Sequence, residues 1–151
     1  MDYRALIAQL RALAEEDGWY VPLLSNASAL LYGALPSLNW AGFYLLRAGR
    51  LVLGPFQGKP ACIHIAPGRG VCGTALQEDR TLLVPNVHEF PGHIACDGAS
   101  NSEIVVPIHA NGQAVAVLDI DSPLLNRFDE ADREGLEAFA RALEESVQFD
   151  L

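Results

Sequence analysis

Three cysteines, Cys62, Cys72 and Cys96, and three acids, Glu103, Asp119 and Asp121, are the residues of this 151-residue chain whose settings could carry chemistry. A thiol acts as a nucleophile, redox centre or metal ligand when it is held as thiolate. Gathered carboxylates bind cations, and their mutual repulsion keeps a proton available. An odd number of cysteines does not make an extracellular disulfide framework, and three readings stand side by side. The cysteines are buried small hydrophobes, as free cysteines commonly are. Or they are zinc ligands with His64, His88 or His93, although gaps of nine and twenty-three residues match no paired zinc spacing. Or they form a thiol redox set. Context favours redox for two of them: Cys72 sits in Gly70-Val71-Cys72-Gly73, where a glycine loop feeds a helix whose N-terminus would stabilise a thiolate. Cys96 lies in an irregular, polar and accessible stretch between His93 and Asp97. Cys62 falls on the strand-like ACIHIA, where alternation does not decide whether it faces a site or the core.

The acids sit at the end of a hairpin. In IVVPIHA-Asn111-Gly112-QAVAVLDID the Asn-Gly pair supplies the positive φ angles of a type I′ turn. Beyond it Val115, Val117, Asp119 and Asp121 point to one face and Ala116, Leu118 and Ile120 to the other. Aspartate is disfavoured in strands. Asp121 is read most simply as opening the turn at Ser122-Pro123, but Asp119, between Leu118 and Ile120, has no such excuse. A two-residue turn pairs position 103 with 120, which puts Glu103 on the face opposite Asp119. A one-residue bulge at Pro107 would bring it to the aspartates' side.

The elements that must position these groups follow from periodicity. Leu6, Leu10 and Leu13 define an N-terminal helix stopped by Gly18, and a second short helix follows Ser25 and ends near Pro36. WAGFYLL and LVLGPFQG make a hairpin, GVCGTALQED a helix and TLLVPNV a short strand; residues 88–102 form a long loop. A last helix runs from a cap at Asp129 through Leu136, Phe139, Leu143 and Val147. This order predicts an α+β fold over residues 1–151, an antiparallel sheet with N- and C-terminal helices on one face. The net charge of −9 is concentrated in the terminal helices as solvated faces, and the centre is nearly neutral. With a single lysine, Lys59, no basic stripe exists for a nucleic acid. No apolar run spans a bilayer and the N-terminus does not read as a secretory signal, so the expectation is a soluble, cytoplasmic protein.

Five blocks in order, NWAGFYLL, LGPFQGKPACIHI, GRGVCGTA, FPGHIACDGASNSEIVVPI and LDIDSP, resemble the free methionine-(R)-sulfoxide reductases of the GAF-domain superfamily. The resemblance implies a GAF-like fold and thiol-dependent reduction of the free amino-acid sulfoxide. It implies that Cys96 is the catalytic thiol, Cys62 the resolving thiol and Cys72 an auxiliary one. It also implies that Glu103, Asp119, Asp121, Trp40 and Tyr44 bind substrate. No metal and no resident cofactor are implied; a thioredoxin-type dithiol recycles the disulfide, and a homodimer is in keeping with the fold. The alternative function is a GAF-like module that binds a small molecule or nucleotide without catalysis, although such modules usually regulate an output domain for which this chain leaves no room.

Overall fold

The computed structural model describes residues 1–94 and 96–150. Its centre is a six-stranded antiparallel sheet in the order β3-β2-β1-β6-β5-β4. The strands are β1 (Trp40–Arg47), β2 (Arg50–Gly58), β3 (His64–Ile65), β4 (Leu82–Val84), β5 (Ser102–Ala110) and β6 (Gln113–Ser122). Helices α1 (Tyr3–Glu16), α2 (Tyr20–Ala34) and α4 (Glu130–Glu144) cover one face. Their apolar stripes, with Leu10, Leu24, Leu31, Phe139 and Leu143 fully buried, pack on Phe43, Ile104, Leu118 and Ile120. The short helix α3 (Gly70–Glu78) lies on the other face, over Trp40, Tyr44, Val105 and Val117. The expected α+β arrangement is thus the observed one, and the sheet's second face is left to α3 and the long loop. Among the described residues no helix is long and apolar enough to cross a membrane.

Local chemistry explains most boundaries. Asp2 caps α1 by accepting from the Ala5 amide. Asp129 caps α4 in a reciprocal pair with Asp132, and α4 ends at Glu144, short of the Val147 expected. Helix α2 begins at Tyr20, well before Ser25, because Pro22 falls in its first turn, where a missing amide hydrogen costs nothing. The β1–β2 hairpin turns at Ala48 and Gly49, both with positive φ. Its register slips between Gly42 and Tyr44, with the extra residue on β2 beside Gly54-Pro55, a position where a proline donates nothing and loses nothing. Gly42 is required there: a Cβ on it would lie 2.3 Å from the Phe56 Cβ.

The β5–β6 register is also shifted, and this shift builds the acidic cluster. Ala110 pairs with Gln113 and His109 with Ala114, but Ile108 pairs with Ala116, so Val115 is an extra residue on β6. The bulge therefore lies two positions from Pro107 and on the opposite strand from the one expected. Its consequence is the one that matters: Glu103 pairs with Asp121 and Val105 with Asp119, so all three acids share a face. Asp121 does not open a turn; it is paired with Trp40 on one side and Glu103 on the other. The strand-like ACIHIA contributes only His64–Ile65 to the sheet, and Cys62 precedes it in irregular chain.

Candidate active site

Strand β1 is the mount on which both cysteine-bearing segments hang. Tyr44 donates its hydroxyl to the Cys62 carbonyl at 2.9 Å, and Trp40 donates Nε1 to the Lys59 carbonyl at 3.1 Å. The two aromatic side chains thereby hold the 59–62 segment at both ends. Trp40 is 2% exposed and stacks on Phe56 at 5.2 Å and on Tyr44 at 5.9 Å, which fixes its ring. One residue earlier, Asn39 donates Nδ2 to Asp97 Oδ2 at 3.0 Å and to Ser100 Oγ at 2.9 Å. Asp97 in turn accepts the Ala99 amide, and these bonds hold its carboxyl below the usual carboxylate range. They tie the loop that follows Cys96 to the start of β1. The result is a disulfide between Cys62 and Cys96, with Cα atoms 5.5 Å apart. Both cysteines are half-buried, so Cys96 is less open than its polar loop suggested.

Beside this disulfide lies a narrow cavity of about 40 Å³, lined by Trp40, Tyr44, Cys72, Cys96 and the three acids, among others. Every candidate site residue except Cys62 lines it, and Cys62 is bonded to Cys96. Arg69, Ile94, Asp97 and Ser100 line it as well, residues that the sequence offered at most as loop neighbours of a cysteine, and so does His93, which it offered as a zinc ligand. Asn39, which anchors that loop, carried no signal beyond preceding Trp40.

Cys72 contradicts one expectation. It stands in the first turn of α3, where the helix dipole favours a thiolate, yet it is fully buried against carboxyls. Burial first, and then the charge of Asp119, Glu103 and Asp121, pushes its thiol well above the usual value. It is therefore held as a neutral thiol beside Asp119. The tight seat of α3 is set by Gly73, where a Cβ would lie 2.4 Å from the Ala66 carbonyl oxygen.

The three acids share protons. Burial, followed by the charges of Asp119 and Asp121, raises Glu103 well above the normal range, so it holds a proton that it can share with one aspartate or the other. Burial and Asp119 likewise raise Asp121. Asp119 is also raised by burial, but hydrogen bonds from Glu103, Cys72 and Asp121 pull it back. Glu103 is therefore the proton holder and Asp119 the preferred seat of negative charge. Apart from protons shared within the cluster, Asp119 Oδ1 and Asp121 Oδ1 are sealed from solvent and meet no donor. Two orphan acceptor oxygens in a cavity fit a ligand that brings donors, such as an ammonium group. Tyr44 is raised too, by burial and then by Asp119, so its hydroxyl stays a donor at any working pH.

A GAF domain family model matches residues 3–147. The chain is 54% identical to Protein YtsP of Bacillus subtilis, over 97% of this chain and 91% of that one. It is 50% identical to the free methionine-R-sulfoxide reductase of Escherichia coli K12, over 94% of this chain and 86% of that one. It superposes on the fRMsr of Staphylococcus aureus in complex with substrate with a TM-score of 0.92 at 50% identity, covering 97% of this chain and 96% of that one.

Proposed function

This chain belongs to the GAF domain family and, within it, to the free methionine-R-sulfoxide reductases, and from that premise we propose how its own residues carry out the reduction. Cys96, as thiolate, attacks the sulfoxide sulfur. Protonated Glu103 gives its proton to the sulfoxide oxygen, so the attack yields a sulfurane that carries a hydroxyl and the new bond to Cys96. The hydroxyl then passes to the Cys96 sulfur as the S–O and S–S bonds break, which releases methionine and leaves Cys96 as a sulfenic acid. The Cys62 thiol displaces that oxygen as water and forms the disulfide, and a thioredoxin-type dithiol reopens it by exchange, itself becoming oxidised. The setting is the cytoplasm, where such dithiols are kept reduced.

The single observation that carries this reading is the junction of a Cys62–Cys96 disulfide with a cavity that Glu103, Asp119 and Asp121 also line. The orphan oxygens of Asp119 and Asp121 account for selection of a free amino acid, because a methionine within a polypeptide brings no ammonium to them. The cavity of the disulfide form has room for a water molecule or an ion and not for an amino acid. Substrate entry therefore requires the Cys96 loop to shift once the disulfide is open. Single-turnover reduction separates the thiol roles. Cys96→Ser should release no methionine, and Cys62→Ser should release one equivalent and stall as a sulfenic acid trapped by a dimedone-type probe. Sustained thioredoxin-driven turnover by Cys62→Ser would pass the resolving role to Cys72.

A further inference from the structure

We propose that the same pocket takes a borderline divalent cation of the zinc class, held by the Cys72 sulfur with Glu103 and Asp119, in competition with the sulfoxide. Among the described residues, ligand atoms of these three buried side chains all lie within 4.8 Å of one another. Around a zinc ion, with Zn–S about 2.3 Å and Zn–O about 2.0–2.2 Å, neighbouring ligand atoms stand about 3.5 Å apart. Adjustments of about 1 Å at the ends of the side chains close the difference. This set shares only Cys72 with the three-cysteine arrangement considered from the sequence, whose other two members are bonded to each other.

An independent sign of a ligand comes from Asp119, which is 5% exposed, lines the cavity and presents Oδ1 without a donor. Asp121 Oδ1 is in the same condition on the same wall and offers a further oxygen. One sulfur with two or three carboxylate oxygens selects the cation. Magnesium and calcium require all-oxygen shells, and copper(I) prefers sulfur alone, whereas zinc and cadmium accept the mixture. Binding replaces protons: the thiol and the Glu103 acid each release one, and the cation takes their place with no change of oxidation state. The cation needs the oxygens that the substrate's ammonium needs, so either occupant excludes the other.

The test uses the full chain with Cys62→Ser and Cys96→Ser, in which Cys72 is the one thiol left. Cadmium titration followed by thiolate-to-metal charge-transfer absorption should show one cation per chain, with zinc displacing it. The band should vanish on adding Cys72→Ser. Glu103→Gln should weaken binding by about 10-fold or more, since even groups behind the ligands are worth that much. Free methionine sulfoxide should raise the apparent Kd in proportion to its concentration. Circular dichroism checks that each variant is folded, and the sulfoxide competition needs no substitution at the ligands. No band, a band that survives Cys72→Ser, or one indifferent to a sulfoxide shown by calorimetry to bind the metal-free protein overturns the proposal. If the sulfoxide gives no heat at all, the reductase reading fails and the band alone decides the cation site.

Discussion

Glu103→Gln separates proton supply from mere polarity, because glutamine keeps the shape and a donor but has no proton to give. Glu103 is 7% exposed and paired across the ladder with Asp121, and its burial among two aspartates is what holds its proton. A positioned general acid contributes about 10²–10⁴ in rate, or about 3–5 kcal/mol of barrier. Loss of Glu103 should therefore lower kcat about 100-fold or more, while KM, set chiefly by Asp119 and Asp121, changes less. The pH profile supplies the sign. The acid must be protonated, so wild-type kcat falls as pH rises through the elevated pKa of Glu103, and the fall should be absent in the variant. The assay is methionine release from the free R sulfoxide in single turnover across the pH range. Near wild-type kcat with the same alkaline fall would refute the assignment.

Other predictions are more local. Tyr44→Phe removes one half-buried hydrogen bond to the Cys62 carbonyl, worth about 1 kcal/mol; rapid-quench thiol counting should show the sulfenic acid closing to disulfide about 5-fold more slowly. Calorimetry should find the free sulfoxide binding the reduced protein and not the disulfide form, whose cavity is too small; equal affinity would contradict the loop shift. His109 bridges Asp79 and Glu144. Its desolvation lowers its pKa, but the two acids outweigh this and raise it. The bridge's stabilisation is thus complete below the ordinary histidine range and lost as pH rises through the raised value. His109→Ala should cost about 1 kcal/mol in urea unfolding on the acid side and less on the alkaline side. Gly42→Ala, whose new methyl would meet Phe56, should lower Tm by several degrees and loosen the Trp40 stack.

The elements with self-contained signals could be read in advance. Asn111-Gly112 set its hairpin, Asp129 its helix, and the apolar spacing of the terminal helices placed them on one face of the sheet. What escaped depended on partners distant in sequence. The α2 start was hidden because no capping side chain marks it: Trp19 is its N-cap and makes no side-chain cap bond. The face of Glu103 hung on which strand carries one extra residue, and Val115 gives no local sign of it. The state of Cys72 was misread because a helix N-terminus is local, whereas the burial and the three acids that overrule it come from β5, β6 and the core. Asn39, Asp97 and Ser100 act only as a set, and nothing in their spacing announces that.

A single turnover of the reduced protein without external reductant tests directly whether Cys96 and Cys62 reduce the free sulfoxide between them. It offers free and peptide-bound methionine sulfoxide, R and S separately, and counts both methionine and the thiols left open to alkylation after unfolding. One equivalent of methionine should come from the free R sulfoxide, with Cys62 and Cys96 closed and Cys72 still open. Comparable release from the peptide, or a product disulfide that includes Cys72, would contradict that assignment.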